Sequence, residues 1–206
     1  MLKLNYRRLS SDEVRKHIGG KNMHHNVLAP FNSDAVKEFR AGDTISLSGI
    51  IYTARDAAHK KLIELLSQNK ALPFDIKNQT IYYVGPCPSR EDEVIGSAGP
   101  TTSYRMDAYA PTLIQLGQTG MIGKGLRGES VINAMKEHGA VYFGAIGGAG
   151  ALMAQCIISQ EIIAFPELGA EAIRKLEVEN FPLTVIIDCY GNNLYEIGKA
   201  QFRKCK

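Results

Sequence analysis

Apolar and polar positions alternate through Thr44-Ile45-Ser46-Leu47-Ser48-Gly49-Ile50-Ile51-Tyr52, the two-residue period of a half-buried strand. Upstream, Ser33–Phe39 reads as a short helix ended by Gly42, and downstream Ala54–Leu66 reads as a longer one. Thr80–Val84 is a second strand closed by Gly85-Pro86. Glu93–Ala98 is a third, leading through Gly99-Pro100 into a helix that runs from Arg105–Tyr109 to Leu113, Ile114 and Leu116. These early strands are short, in the antiparallel manner. From Gly120 the rhythm becomes βαβα: strand Met121–Gly123, helix Ser130–Glu137, strand Ala140–Phe143, then helix Ala149–Cys156 behind a glycine-rich turn. The tail adds Ile162–Phe165, Lys175–Val178, the β-branched strand Leu183–Asp188 and the turn Gly191-Asn192-Asn193. The stretch up to about Phe31 reads as an appendage with Pro30 at its boundary. It carries one helical pattern, Ser11–Ile18, opened by Ser10-Ser11-Asp12-Glu13 and closed by Gly19-Gly20. The rest of the chain reads as a single mixed α/β domain.

Composition narrows the class. With 206 residues and 45% hydrophobic side chains, the chain can bury its own core without disulfide or structural metal. The net charge is +3 and the basic residues are dispersed, which argues against a nucleic-acid partner. No apolar run reaches bilayer-spanning length and Met1–Arg8 is too polar for a secretion signal, so the expectation is a cytoplasmic protein with no membrane partner. The cysteines, Cys87, Cys156, Cys189 and Cys205, include no close pair, and His24, His25, His17, His59 and His138 show no ligand spacing; no metal ligand is assigned to this chain.

Candidate chemistry gathers where strands give way to helices. Gly99-Pro100-Thr101-Thr102-Ser103-Tyr104-Arg105 sets hydroxyls and a guanidinium on one corner, which suits a small anion; it equally suits plain capping by Thr101, Thr102 or Ser103 with Arg105 solvated. Gly123-Lys124-Gly125-Leu126-Arg127-Gly128 matches the glycine spacing of a dinucleotide fingerprint, but Ala140–Gly150 contains no acid to hold a ribose, and Lys124 is followed by Gly125 where a phosphate-binding loop needs Ser or Thr. Arg55 opens another helix, with Asp56 either capping it or pairing with the arginine. If their loops converge, Arg55, Arg105 and Lys124 form a pocket for a small dianion, arginine's planar fork being suited to a carboxylate. The turn Ala145–Ala151 either lines that pocket or permits close helix packing.

Taken together, Ala41-Gly42-Asp43-Thr44 with Leu47-Ser48-Gly49, Ala54–His59, Gly96–Ser103, Arg105-Met106-Asp107, Gly123-Lys124-Gly125, Gly147-Gly148, Leu176-Glu177-Val178 with Phe181-Pro182, and Gly191-Asn192-Asn193 resemble, in order and spacing, the β subunit or C-terminal domain of class I iron–sulfur fumarases and the related tartrate dehydratases. The resemblance divides the chain into an N-terminal extension, residues 1–27, and a catalytic domain, residues 28–206. It implies a swivelling β/β/α fold, an α/β class with a mixed sheet and flanking helices. The implied reaction is reversible hydration of fumarate to (S)-malate, with tartrate dehydration as the alternative. It further implies a 4Fe–4S cluster ligated by an α subunit and not by this chain, an α2β2 heterotetramer, and an active site shared between the subunits. Thr101 matches the proposed base on carbon and Arg105 the residue assisting it, while Arg55, Thr102, Arg105 and Lys124 match the positions that bind substrate. A reading of another class is a nonenzymatic module that only binds a dicarboxylate.

Overall fold

The computed structural model describes residues 22–145 and 148–202. The helix expected over Ser11–Ile18 lies outside the described residues, as do Ile146, Gly147 and Cys205. Seven strands, β1 (His24–Ala29), β2 (Thr44–Thr53), β3 (Thr80–Tyr82), β4 (Gly120–Gly123), β5 (Val141–Gly144), β6 (Ile157–Ala164) and β7 (Ile173–Ile187), form one sheet in the order β1-β2-β3-β4-β5-β7-β6, with a further pairing of β2 to β7. Strands β1 to β5 run parallel to one another, whereas β7 runs antiparallel to β2, β5 and β6. Parallel neighbours need crossovers, and the helices supply them: α1 (Ser33–Val36), α2 (Asp56–Ser67), α3 (Ala110–Gln115) and α4 (Glu129–His138) each sit between two parallel strands. Helices α5 (Gly150–Gln155) and α6 (Leu194–Phe202) come after them in the chain. The α/β class with a mixed sheet and flanking helices is thus observed.

The period of two divides each strand between two cores. Ile81, Met121 and Tyr142 face Ala58 and Leu62 of α2, Leu113 of α3, and Val131 and Met135 of α4. Their neighbours Tyr82, Ile122 and Phe143 face the other way, toward Phe31, Phe39, Leu47, Phe181 and Val185. Both faces of the central strands are therefore buried, which is why these runs are apolar throughout and show no alternation. Each large side chain so buried stabilises by about 1.5–3 kcal/mol before entropy is counted. Helix α4 ends where Gly139 takes a left-handed conformation, φ 72°, that returns its N–H to the Met135 carbonyl.

Several expectations need correction. The early strands are parallel, not antiparallel. Glu93–Ala98 forms no strand: the Cys87 N–H donates to the Ser97 carbonyl and the Ala98 N–H to Gly150, both at 3.0 Å, so the segment is tied to its own loop and to α5. A Cβ at Gly96 would collide with the Pro88 carbonyl oxygen, an approach that only glycine permits. The helix expected from Arg105 is instead a 3-10 turn, Ser103–Met106, with α3 separate from it. The two tail segments Lys175–Val178 and Leu183–Asp188 belong largely to one strand, β7, kinked at Asn180 (φ 49°) opposite a register shift between Leu47 and Gly49. Strand β1 itself pairs in register with Thr44–Gly49 of β2. The βαβα run from Gly120 is observed as expected.

Candidate active site

Because β2, β3 and β4 are parallel neighbours, their carboxyl ends share one edge of the sheet, the edge where open α/β sheets hold ligands. Arg55 follows β2 directly and Lys124 follows β4. Thr101 is reached from β3 by a long excursion, yet its N–H returns to the Tyr83 carbonyl at 2.8 Å, just past the end of β3. Thr102 then pairs with Lys124 in an isolated parallel bridge. Arg105 completes the set on the 3-10 turn. All five residues singled out in the sequence therefore stand on the same edge.

One carboxylate ties the two arginines together. Asp56 Oδ2 accepts from Arg105 Nη2 at 2.6 Å, and its Oδ1 lies 3.6 Å from Arg55 Nη2. Arg55 also pairs with Glu171 at 3.1 Å, whose other oxygen accepts the Ala57 N–H at the start of α2. Asp56 is thus a bridge between cations and not the cap of its helix; Glu171 meets that amide instead. Lys124 is exposed, and among the described residues no carboxylate lies within ion-pairing distance of it. The Arg55 Nε, buried, has no partner among the described residues. Arg105 is 44% exposed, so the cluster opens to solvent. Two cavities of about 620 and 580 Å³ flank the 86–97 segment, and none of the five residues lines either. The cation cluster is open to solvent.

The hydroxyls do not cap. Thr102 occupies the N-cap position of the 3-10 turn without a side-chain hydrogen bond. Ser103 turns inward instead, its Oγ accepting the Lys124 N–H at 3.1 Å and the Tyr142 hydroxyl at 2.9 Å. The capping alternative is therefore not what the turn is built for. Asp107, Arg127, Tyr83 and Tyr142, which sequence reasoning passed over as site residues, lie directly beneath. Asp107 and Arg127 stand inside quoted motifs, Arg105-Met106-Asp107 and Gly123–Gly128, where they were given no role.

His59 closes the floor below Arg55. It is wholly buried, its Nδ1 donating to the Arg55 carbonyl at 2.9 Å and its ring edge-on to Tyr83. Burial pushes its pKa down from 6.5 to about 4, the bond to the Arg55 carbonyl offsetting only part of that, so the ring is neutral near pH 7. The unfolded chain binds this proton more readily than the folded one. Stability from His59 is therefore complete above pH 6.5 and is lost as the pH falls toward 4. The expected loss is about 2 kcal/mol by pH 5 and about 3 kcal/mol in all. Urea unfolding of the protein and of His59→Gln at pH 7 and pH 5 checks this: the variant should lose most of the pH slope, and equal slopes would refute the assignment.

Among the described residues, no group of three or more His, Cys, Asp or Glu side chains is placed to hold a metal ion. Cys87 is exposed, Cys156 half-buried and Cys189 buried, each a separate free thiol. The cysteines among the described residues do not fit an iron–sulfur cluster, which takes several thiolates at one place. The site's own equipment is cations, hydroxyls and backbone amides, which suit a small dicarboxylate.

Residues 6–198 match the family model described as "Fumarase C-terminus". The "Fumarate hydratase class I, aerobic" of Escherichia coli (strain K12) is 39% identical over 198 residues, covering 94% of this chain but 36% of the relative. "Fumarate hydratase 2" of Leishmania major is 40% identical over 162 residues, 78% of this chain and 28% of the relative. The "Putative L(+)-tartrate dehydratase subunit beta" of Methanocaldococcus jannaschii is 40% identical over 176 residues, 82% of this chain and 90% of the relative. The chain thus spans about a third of the class I fumarate hydratases it matches, and nearly the whole of the separate subunit.

Proposed function

The chain belongs to the fumarase C-terminus family, and from that premise we propose that it is the β subunit of a two-subunit class I fumarate hydratase, which interconverts fumarate and (S)-malate with an α subunit carrying a 4Fe–4S cluster. The observation that carries this reading is the convergence of Arg55, Arg105 and Lys124 with Thr101 and Thr102 on one open sheet edge. Two acids offset two of the cations, so the free site carries a modest positive charge able to draw in a diacid without binding it irreversibly.

Arg105 and Arg55 grip one carboxylate through their planar forks, and the Lys124 ammonium reaches the other. Thr102 adds a hydroxyl donor beside Lys124. Thr101 Oγ1, acting as the alkoxide that the neighbouring cations favour, takes the proton from the carbon next to a carboxylate in dehydration and, as the hydroxyl so formed, returns it in hydration. The cations facing that carboxylate stabilise the enolate-like charge as it develops, and they lower the proton affinity of Thr101. A cluster held by the partner would supply Lewis-acid assistance there. Supporting this division, the donors among the described residues do not fit a cluster, and the relatives that span a further two thirds of sequence have room for one. We place the complex in the cytoplasm as an α2β2 heterotetramer; no described helix is long and apolar enough to cross a membrane.

A second reading, the β subunit of an L(+)-tartrate dehydratase, is favoured by one observation: a relative of matching length carries that name. Initial rates with fumarate, (S)-malate and L(+)-tartrate, measured anaerobically on this chain copurified with the cluster-bearing chain, decide between them. The first reading expects malate and fumarate to turn over at least tenfold faster than tartrate. Binding of malate by this chain alone, without turnover by the pair on any of the three, would leave a dicarboxylate-binding module.

A further inference from the structure

Arg127 lies in the loop that carries Lys124, and its side chain is fully enclosed. Its Nε donates to Asp107 Oδ1 at 2.7 Å, and the other oxygen of that carboxylate accepts the Gly128 N–H at 2.5 Å. Asp107 itself is the residue just after the 3-10 turn that presents Arg105. One carboxylate therefore joins the two site-bearing loops by both of its oxygens. The guanidinium lies 5.2 Å from the ring centres of both Tyr83 and Tyr142, the aromatic contacts a planar cation favours. Those tyrosines extend the linkage: the Tyr83 hydroxyl oxygen accepts from Arg127 Nη1 and its backbone carbonyl from the Thr101 N–H, and the Tyr142 hydroxyl donates to Ser103 Oγ and lies 3.1 Å from the Gly125 carbonyl. Ser103 in turn exchanges two hydrogen bonds with the Lys124 backbone, at 2.9 and 3.1 Å.

Enclosure removes Arg127 from any direct role with substrate. We propose that Arg127 and Asp107 are positioning residues: together they lock the Lys124 loop against the Thr101–Arg105 turn, fixing the separation at which the exposed cations meet the two ends of a diacid. The consequence for turnover rests on the functional reading above; the consequence for loop geometry does not. The glycine spacing Gly123–Gly128 finds its use here, sending Lys124 outward and Arg127 inward from one short loop.

Two conservative variants loosen the lock, and the β2–β7 amides report whether the fold survives. Arg127→Lys keeps the charge but gives up the fork and the flat face. Asp107→Asn keeps the shape but leaves one carbonyl oxygen for two donors. Hydrogen exchange on the full chain should show the Ser103 and Lys124 amides exchanging at least tenfold faster in both variants, with the amides between β2 and β7 unchanged. In the copurified pair, KM for fumarate should rise at least tenfold with a smaller fall in kcat, because carboxylate binding acts on ground and transition states alike. Exchange that rises equally across the β2–β7 ladder, or not at all at Ser103 and Lys124, overturns the proposal. So does local loosening with KM unchanged in an active pair. If the unmodified pair fails to hydrate fumarate, the functional reading falls and the exchange pattern alone decides the lock.

Discussion

Arg105→Ala should lower kcat/KM for fumarate hydration by the copurified pair by about 10²–10³-fold, the cost of removing one preorganised charge partner of a developing anion. The fold should not suffer. Arg105 is 44% exposed and its ion pair with Asp56 is partly solvated, so the substitution costs no more than about 1 kcal/mol of stability. Arg105→Lys should recover only part of the rate, since an ammonium cannot grip a carboxylate through two parallel bonds while also holding Asp56. Steady-state kinetics together with thermal unfolding check both statements. A variant that keeps wild-type rates would remove Arg105 from the site; one that loses rate only by unfolding would remove it from the chemistry.

Arg127→Ala should destabilise the chain by about 3–5 kcal/mol, the range for taking one member from a buried ion pair. The truncation leaves Asp107 facing an emptied space, takes the cation from between Tyr83 and Tyr142, and strips a partner from the Tyr83 hydroxyl. For a chain of this length the midpoint of thermal unfolding should drop by roughly 10 °C or more. Arg127→Met, which refills the volume without charge, should recover part of that loss. An unchanged midpoint in Arg127→Ala would mean that the pair adds nothing to stability.

The cations were legible because each sits in a local signal: Arg55 and Lys124 immediately follow strand patterns, and Arg105 follows a Gly-Pro break. Their shared edge was not legible, because it depends on β2, β3 and β4 being parallel, and short apolar strands do not declare their direction. Glu93–Ala98 has the composition of a strand, yet Gly96 packs against the carbonyls of Cys87 and Pro88 and the segment bonds to its own loop. Strand β1 was hidden by its place at the sheet's edge, where His24, Asn26 and Leu28 face solvent and the pattern reads as polar. Strand β7 was divided because Asn180 and Pro182 look like a break and are in fact a kink. Glu171 was invisible as the partner of Arg55, since nothing local connects a residue before β7 with one after β2. Asp107 and Arg127 stand 20 residues apart and meet only once the chain has folded.

The most direct test of the account asks whether the cradle of Arg55, Arg105, Lys124 and Thr101 is half of an active site. Fumarate hydration should be measured anaerobically for this chain alone, for the cluster-bearing chain alone, and for the two combined. The account predicts turnover only from the combination, lowered about 10²–10³-fold when Arg105 is alanine. Full hydratase activity from this chain by itself would contradict it.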